Sequence, residues 1–265
     1  MQEIKSRDNK KLKFIRRIRD EHERNFLFIE GLRLAGEALR SNVKIKQILL
    51  SESFLVKNDS DNFIRSEILE TADAIRLPDK IFNSISATKN PQGIILICKT
   101  PETGKKFLEN KLADLKIPLL LFLYKINNPS NLGAILRTSE AAGVDGIIIS
   151  EKSANIFSPK SLRSGLGANL RMPIWKEANF IDVLEWSENL GLMSTCADIN
   201  SAKSYTEINW RQPRILIFGS EAHGLSAAQR KKVREQIYIP MKNDVESLNL
   251  AVSCGIILYE AGKYR

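Results

Sequence analysis

Close to the start of the chain, Leu12, Ile15 and Ile18 recur three residues apart, with Phe14 beside them, and predict a helix that buries one face. Phe26–Ile29 then reads as a strand, Leu32–Leu39 as a helix and Ile48–Leu50 as a second strand. Asn62–Leu69 predicts a further helix and Ala74–Leu77 a short strand. A turn containing Pro91 and Gly93 leads into another strand, Ile94–Cys98. Together these elements predict a small α/β domain over residues 1–98.

The periodicity then stops. Lys99-Thr100-Pro101-Glu102-Thr103-Gly104-Lys105-Lys106 mixes Pro, Gly and charge without a repeat, so the expected linker lies at 99–115. Beyond it, residues 116–265 alternate apolar runs with helical patterns. The expected strands are Leu119–Tyr124, Gly146–Ser150, Leu192–Thr195, Ile215–Phe218 and Gln236–Ile239. The expected helices lie near Leu132–Ala142, Ser158–Gly165, Phe180–Ser187, Ala227–Arg234 and Leu248–Ala261. Uninterrupted apolar strands separated by helices predict a mostly parallel sheet covered on both faces. The fold class is therefore α/β in both halves.

Composition narrows the function. No apolar run approaches the roughly 18 residues that a membrane span needs, so no membrane association is expected. The basic, amphipathic start invites a transit-peptide reading, but Asp20, Glu21 and Glu23 follow at once, and a cleaved leader is not expected. Cys98, Cys196 and Cys254 are far apart, and the histidines are His22 and His223 alone. That supply argues for a reducing, cytoplasmic setting and against a metal centre. The net charge of +9 is unevenly placed. Between Lys5 and Arg19 lie eight basic residues and one acid, Asp8. Lys5, Arg7, Lys10, Lys11, Arg16 and Arg17 are candidates to meet a phosphate backbone, although a solvated helix face would read the same way.

Ligands of open α/β sheets bind beyond the carboxyl ends of the strands. Three such ends are unusually polar here. One runs Asn127-Asn128-Pro129-Ser130-Asn131-Leu132-Gly133 into a helix carrying Arg137; the second is Gly219 to Ser226; the third is Ile239-Pro240-Met241 with Glu246-Ser247-Leu248-Asn249 before an apolar helix. None is a dinucleotide or Walker phosphate loop. Taken singly, each has a plain reading. Asn131 or Ser247 could cap a helix, Arg137 could serve a surface ion pair, Glu221 could open the next helix and His223 could be a loop histidine. Three polar strand ends on one sheet are harder to explain that way, because buried polar groups are costly without partners.

These three stretches, Asn131-Leu132-Gly133-Ala134-Ile135-Leu136-Arg137-Thr138, Phe218 to Ser226, and Ile239-Pro240-Met241 with Glu246-Ser247-Leu248-Asn249, resemble the ordered motifs of the SpoU/TrmH family over about residues 117–262. That family, part of the SPOUT superfamily, comprises S-adenosylmethionine-dependent RNA ribose 2′-O-methyltransferases. Ile4-Lys5-Ser6 and Phe28-Ile29-Glu30-Gly31 are similar to the L30e-like RNA-binding domain that precedes the catalytic domain in rRNA-directed members. The resemblance implies a SPOUT domain with a deep trefoil knot, an exception to unknotted topology, and a homodimer that completes the active site. It implies donor contacts from Gly219, Ile239 and Leu248. Its catalytic residue maps to Arg137, with Asn131, Glu221, Ser247 and Asn249 as the other polar positions.

A guanidinium gives up a proton only with great difficulty, so Arg137 is better suited to stabilise a developing alkoxide or hold a phosphate. The second motif departs from the usual Gly-Asn-Glu-Gly by reading Gly219-Ser220-Glu221-Ala222, and Asn127-Asn128 stands where an acid is common. The expected activity is 2′-O-methylation of ribosomal RNA, of the 23S type. A non-catalytic RNA-binding or ribosome-assembly protein, a tRNA-directed methyltransferase and a small-molecule methyltransferase are the alternatives. The retained Arg137, Asn131, Glu221 and Asn249 argue against the first of these, and the basic first domain against the last.

Overall fold

The computed structural model describes residues 1–56, 74–243 and 245–265. The expected helix at Asn62–Leu69 lies outside them. The chain divides into two compact units, Met1–Pro101 with Ile156–Arg171, and Glu102–Asn155 with Met172–Arg265.

The first unit holds β1 (Gln2–Glu3), α1 (Lys10–Arg19), β2 (Phe26–Glu30), α2 (Leu32–Arg40), β3 (Ile45–Ser51), α3 (Glu52–Val56), β4 (Ala74–Leu77), α4 (Asp79–Ile85) and β5 (Ile94–Lys99). Its five-stranded sheet runs β1-β4-β3-β5-β2. β4 lies parallel to β1 and β3, whereas β5 is antiparallel to β3 and β2. Leu12, Ile15 and Ile18 of α1 bury against Phe28, Leu49, Ile75 and Ile95 of the sheet and Phe82 of α4. Each such side chain contributes about 1.5–3 kcal/mol by leaving water. Asn9 caps α1 by accepting from the Lys11 amide at 2.9 Å.

The second unit begins with α5 (Lys105–Leu112), inside the stretch expected to be a linker. Leu108 and Leu112 anchor this helix in the core, one helical turn apart, and Gly104 before it donates to the Ile174 carbonyl at 2.8 Å. Then follow β6 (Leu119–Leu123), α6 (Pro129–Ala141) and β7 (Gly146–Ser150). Next come α7 (Pro159–Gly165) and α8 (Ala168–Arg171), in the segment that clusters with the first unit. Arg171 reaches Glu37 of α2 at 2.7 Å, and α7 packs on β2. The chain continues as β8 (Ile174–Ala178), α9 (Phe180–Asn189), β9 (Met193–Ala197), β10 (Arg214–Phe218), α10 (Ala227–Arg230), β11 (Glu235–Ile237) and α11 (Leu250–Gly262).

The second sheet has six strands in the order β11-β9-β10-β6-β7-β8, every neighbouring pair parallel. Its core gathers Leu120, Phe122, Ile148, Val183, Trp186, Ile215 and Ile217. Between β6 and β10 the strand order reverses. Two elements are shorter than the sequence predicts. α10 starts after Ser226, whose side chain closes a capping box with Gln229, and it stops at Arg230, short of the Arg234 expected. α11 starts at Leu250, with Asn249 as its N-cap, so Ser247-Leu248-Asn249 lead in as irregular chain rather than as helix. β8 is an edge strand of mixed polarity, IWKEA, which periodicity does not reveal.

Candidate active site

The site forms where β6 and β10 end side by side. The Tyr124 amide donates to the Phe218 carbonyl at 2.8 Å and keeps the two strand ends together. After β6 the chain turns through Lys125, which has a positive φ of 55° and donates its amide to Ser150 Oγ at 2.8 Å. Asn128, not Asn131, then caps α6 by accepting from the Ser130 amide at 2.9 Å, with Pro129 opening the helix. Asn131 is thereby freed to point out of the first turn.

After β10 the loop Ser220–Gly224 folds back tightly, with the Gly224 amide donating to the Ser220 carbonyl at 2.9 Å. Gly219 sits at its neck. A Cβ there would fall 2.2 Å from the Gly224 carbonyl carbon and 2.5 Å from the Leu225 nitrogen. The missing side chain is thus demanded first by the loop's own closure, before any ligand approaches.

Three distant stretches meet through one directional chain of hydrogen bonds. Glu221 accepts from the Asn127 and Asn128 amides at 3.1 and 3.2 Å and from Asn131 Nδ2 at 3.4 Å. Asn249 Nδ2 donates to Asn131 Oδ1 at 3.3 Å, and Asn249 Oδ1 accepts from the Ala251 amide at 2.9 Å. A carboxylate only accepts, so it turns the Asn131 amide nitrogen toward itself. That leaves the Asn131 oxygen to receive Asn249, whose own oxygen caps α11. The chain fixes both asparagine orientations.

Beside these groups opens a cavity of about 690 Å³. Gly219, Glu221, Asn131, Ile239, Ser247, Leu248 and Asn249 all line it, as do His223 and Met241. Its volume lies within the roughly 300–1,000 Å³ of small-molecule sites. Arg137 does not line it. It stands exposed near the middle of α6, and no partner holds it among the described residues. α6 packs against α11, whose outer face leaves Val252 and Tyr259 in solvent at 51% and 59% exposure.

The basic stripe of α1 is partly spoken for. Lys5 pairs with Glu3 at 3.3 Å, Arg17 with Glu23 at 2.8 Å, and Lys11 donates to Gln2 at 2.8 Å. Arg16 binds the Arg7 carbonyl at 3.0 Å and Ser84 Oγ at 3.4 Å. Among the described residues the Arg7 and Lys10 side chains have no such partner. The exposed pairs are weak and screened by salt, so they compete little with a phosphate backbone.

Residues after β9 and on α10 also build the cavity, and sequence reasoning passed over them. Asp198 and Asn200 line it, with Arg230. Asp198-Ile199-Asn200 directly follows a strand, so the rule that pointed to the other strand ends applies to it equally. The cysteines take no part. Burial pushes the Cys98 and Cys196 thiols up to about 12 and the Cys254 thiol higher still.

Comparison with known proteins supplies the context. Residues 118–259 match the model of the SpoU rRNA Methylase family, and residues 9–96 match an MRM3-like substrate binding domain. A 23S rRNA (guanosine(2553)-2′-O)-methyltransferase, RlmP of Bacillus subtilis, is 30% identical over 98% of both chains. An AdoMet-bound rRNA methyltransferase from Sinorhizobium meliloti superposes with a TM-score of 0.82 at 26% identity, covering 99% of this chain and 98% of that one. AviRb from Streptomyces viridochromogenes, with AdoMet, shares the fold at a TM-score of 0.82 and 21% identity, covering 96% of this chain and 97% of that one.

Proposed function

The chain belongs to the SpoU rRNA methylase family, and we propose that it methylates a ribose 2′-hydroxyl of ribosomal RNA, of the 23S type, with S-adenosylmethionine as the donor. One observation carries the reading: the hydrogen-bonded chain Glu221–Asn131–Asn249 borders a cavity of nucleoside size beyond the carboxyl ends of the parallel strands. The cavity residues fit the donor. Gly219, Ile239 and Leu248, the proposed donor contacts, all line the space, and Phe218, Leu225 and Met241 line it with apolar side chains.

Bound there, S-adenosylmethionine supplies a methyl group already activated by its sulfonium. The protein's task is alignment and charge. Holding the hydroxyl at the right place and angle can supply several kcal/mol of the barrier, of the roughly 7–11 kcal/mol that ideal orientation offers. Asn131, Ser247 and Asn249 are placed to orient that hydroxyl, with Glu221 fixing Asn131. Arg137 stabilises the oxygen as it loses its proton, or holds the adjacent phosphate.

Because Arg137 stands outside its own chain's cavity, it acts in a partner's site within a homodimer. The exposed Val252 and Tyr259 on the outer face of α11, beside α6, offer apolar surface for that arrangement. The trefoil knot belongs to the same reading, with the Ser220–Gly224 loop and the segment before α11 as its loops. The first unit binds RNA through the Lys5–Arg17 stripe, led by Arg7 and Lys10.

The test is direct. Incubating the protein with labelled S-adenosylmethionine and unmodified ribosomal RNA should place label on ribose 2′-oxygens, mapped by resistance to alkaline cleavage. Donor binding by titration calorimetry with no transfer to any ribosomal RNA would overturn the ribosomal assignment, and transfer to tRNA would then separate a tRNA-directed enzyme from a non-catalytic RNA-binding role.

A further inference from the structure

We propose that Arg230 and Asp198 act together as a positioning brace that sets the shape of the methyl-donor cavity, and so controls donor affinity without touching the donor. The inference rests on the donor site assigned above.

Two strips of chain form facing parts of the cavity wall. One follows β9 (Ala197 to Asn200) and the other follows β10 (Phe218 to Leu225). The parallel ladder joining β9 to β10 ends at the pair Ile217–Cys196, just before both strips begin. Past that point backbone pairing no longer holds them at a fixed separation. Arg230, in the single turn of α10, reaches both. Its Nε lies 2.9 Å from Asp198 Oδ2, and its Nη1 donates to the Leu225 carbonyl at 3.1 Å. The arginine is itself held from a third side, where Gln236 Nε2 of β11 donates to its carbonyl at 3.2 Å.

The Asp198 carboxylate is occupied. Its other oxygen accepts from the Asn200 amide at 3.2 Å and from Asn200 Nδ2 at 3.5 Å, and its side chain is only 9% exposed. A carboxylate already satisfied by the protein has little to offer a ligand ammonium. Its bond to Arg230 is charge-assisted and partly shielded from water, which makes it stronger than a neutral bond and more than a surface ion pair. The pair thus spans the gap between two loops whose backbone would hold the donor.

The experiment is a double-mutant cycle with Asp198→Asn, Arg230→Gln and the two combined. Affinity is read by calorimetry for S-adenosylmethionine and for 5′-methylthioadenosine, which lacks the amino-acid arm. Thermal unfolding and RNA affinity are measured on the same samples. Each single variant should weaken both ligands by a similar factor, about tenfold, the size of one charge-assisted bond lost. The double variant should be no worse than the weaker single one. RNA affinity should hold, and Arg230→Lys should recover part of the loss.

Loss confined to S-adenosylmethionine would overturn the proposal, because Asp198 would then contact the amino-acid arm directly. Multiplying effects in the double variant, or unchanged affinity for both ligands, would overturn it as well. Failure of the wild-type protein to bind S-adenosylmethionine would instead refute the donor-site reading and is seen separately.

Discussion

At the scale of single residues, Gly219 and Arg137 carry the sharpest consequences. Gly219→Ala places a methyl group inside contact distance of backbone at Gly224 and Leu225, which cannot rotate away as a side chain would. The Ser220–Gly224 turn has to open, and Glu221 moves with it. Donor affinity measured by calorimetry should fall at least about tenfold, a shift of roughly 1.4 kcal/mol, and an unchanged value would show that the neck can relax. Arg137 is different in kind. Nothing among the described residues holds it, so its substitution should leave the fold alone; surface changes of this sort usually stay within about 0.5 kcal/mol. Arg137→Ala should abolish most turnover while thermal unfolding stays put. Arg137→Lys should remain well below wild type if a planar fork is required. Near-normal turnover in the lysine variant would leave charge as the whole requirement.

At the scale of elements, α1 separates two uses of positive charge. Arg16 and Arg19 hold down the end of α4, with Arg19 donating to the Ser84 and Ser86 carbonyls at 3.3 and 3.4 Å. Lys10 holds nothing comparable among the described residues. Arg16→Ala should therefore cost about 1–2 kcal/mol of stability in denaturant unfolding. Lys10→Ala should leave stability unchanged and lower the salt slope of RNA binding by about one. Equal effects of both variants on stability would mean that the division is wrong. The link between α2 and the α7–α8 segment has a pH signature. Burial raises the Glu37 carboxyl, but hydrogen bonds from Arg40 and Arg171 outweigh it, and the net shift is below the ordinary value of 4.5. A carboxylate held low contributes stability that is complete above its unfolded value and is lost as pH falls through the folded one. Glu37→Gln should therefore lower the melting temperature at neutral pH, with the gap to wild type closing under acid. A gap independent of pH would remove the electrostatic cause.

At the scale of the whole molecule, the proposed homodimer rests on the outer face of α11. Val252→Asp puts a charge on the exposed apolar stripe and should convert a dimer to monomers in light scattering, with turnover lost and donor binding largely kept. A monomeric wild type would sink the shared site. The sequence by itself determined the parallel sheet of the second half, because fully buried strands such as Leu119–Leu123 must be apolar throughout. It also marked three polar strand ends, whose joint occurrence on one sheet is harder to explain than any one of them alone. It did not show α5, whose Leu108 and Leu112 give too short an apolar pattern to stand out from a linker, or β8, whose edge position lets polar residues alternate freely. Only the tertiary structure decided which asparagine caps α6, that Gly219 serves loop closure, that Arg137 does not line its own chain's cavity, and that Arg230 reaches Asp198. Each of these depends on distances between segments far apart in the chain. Local periodicity records which face of an element is buried, but not what that face, or the residues at its end, will meet.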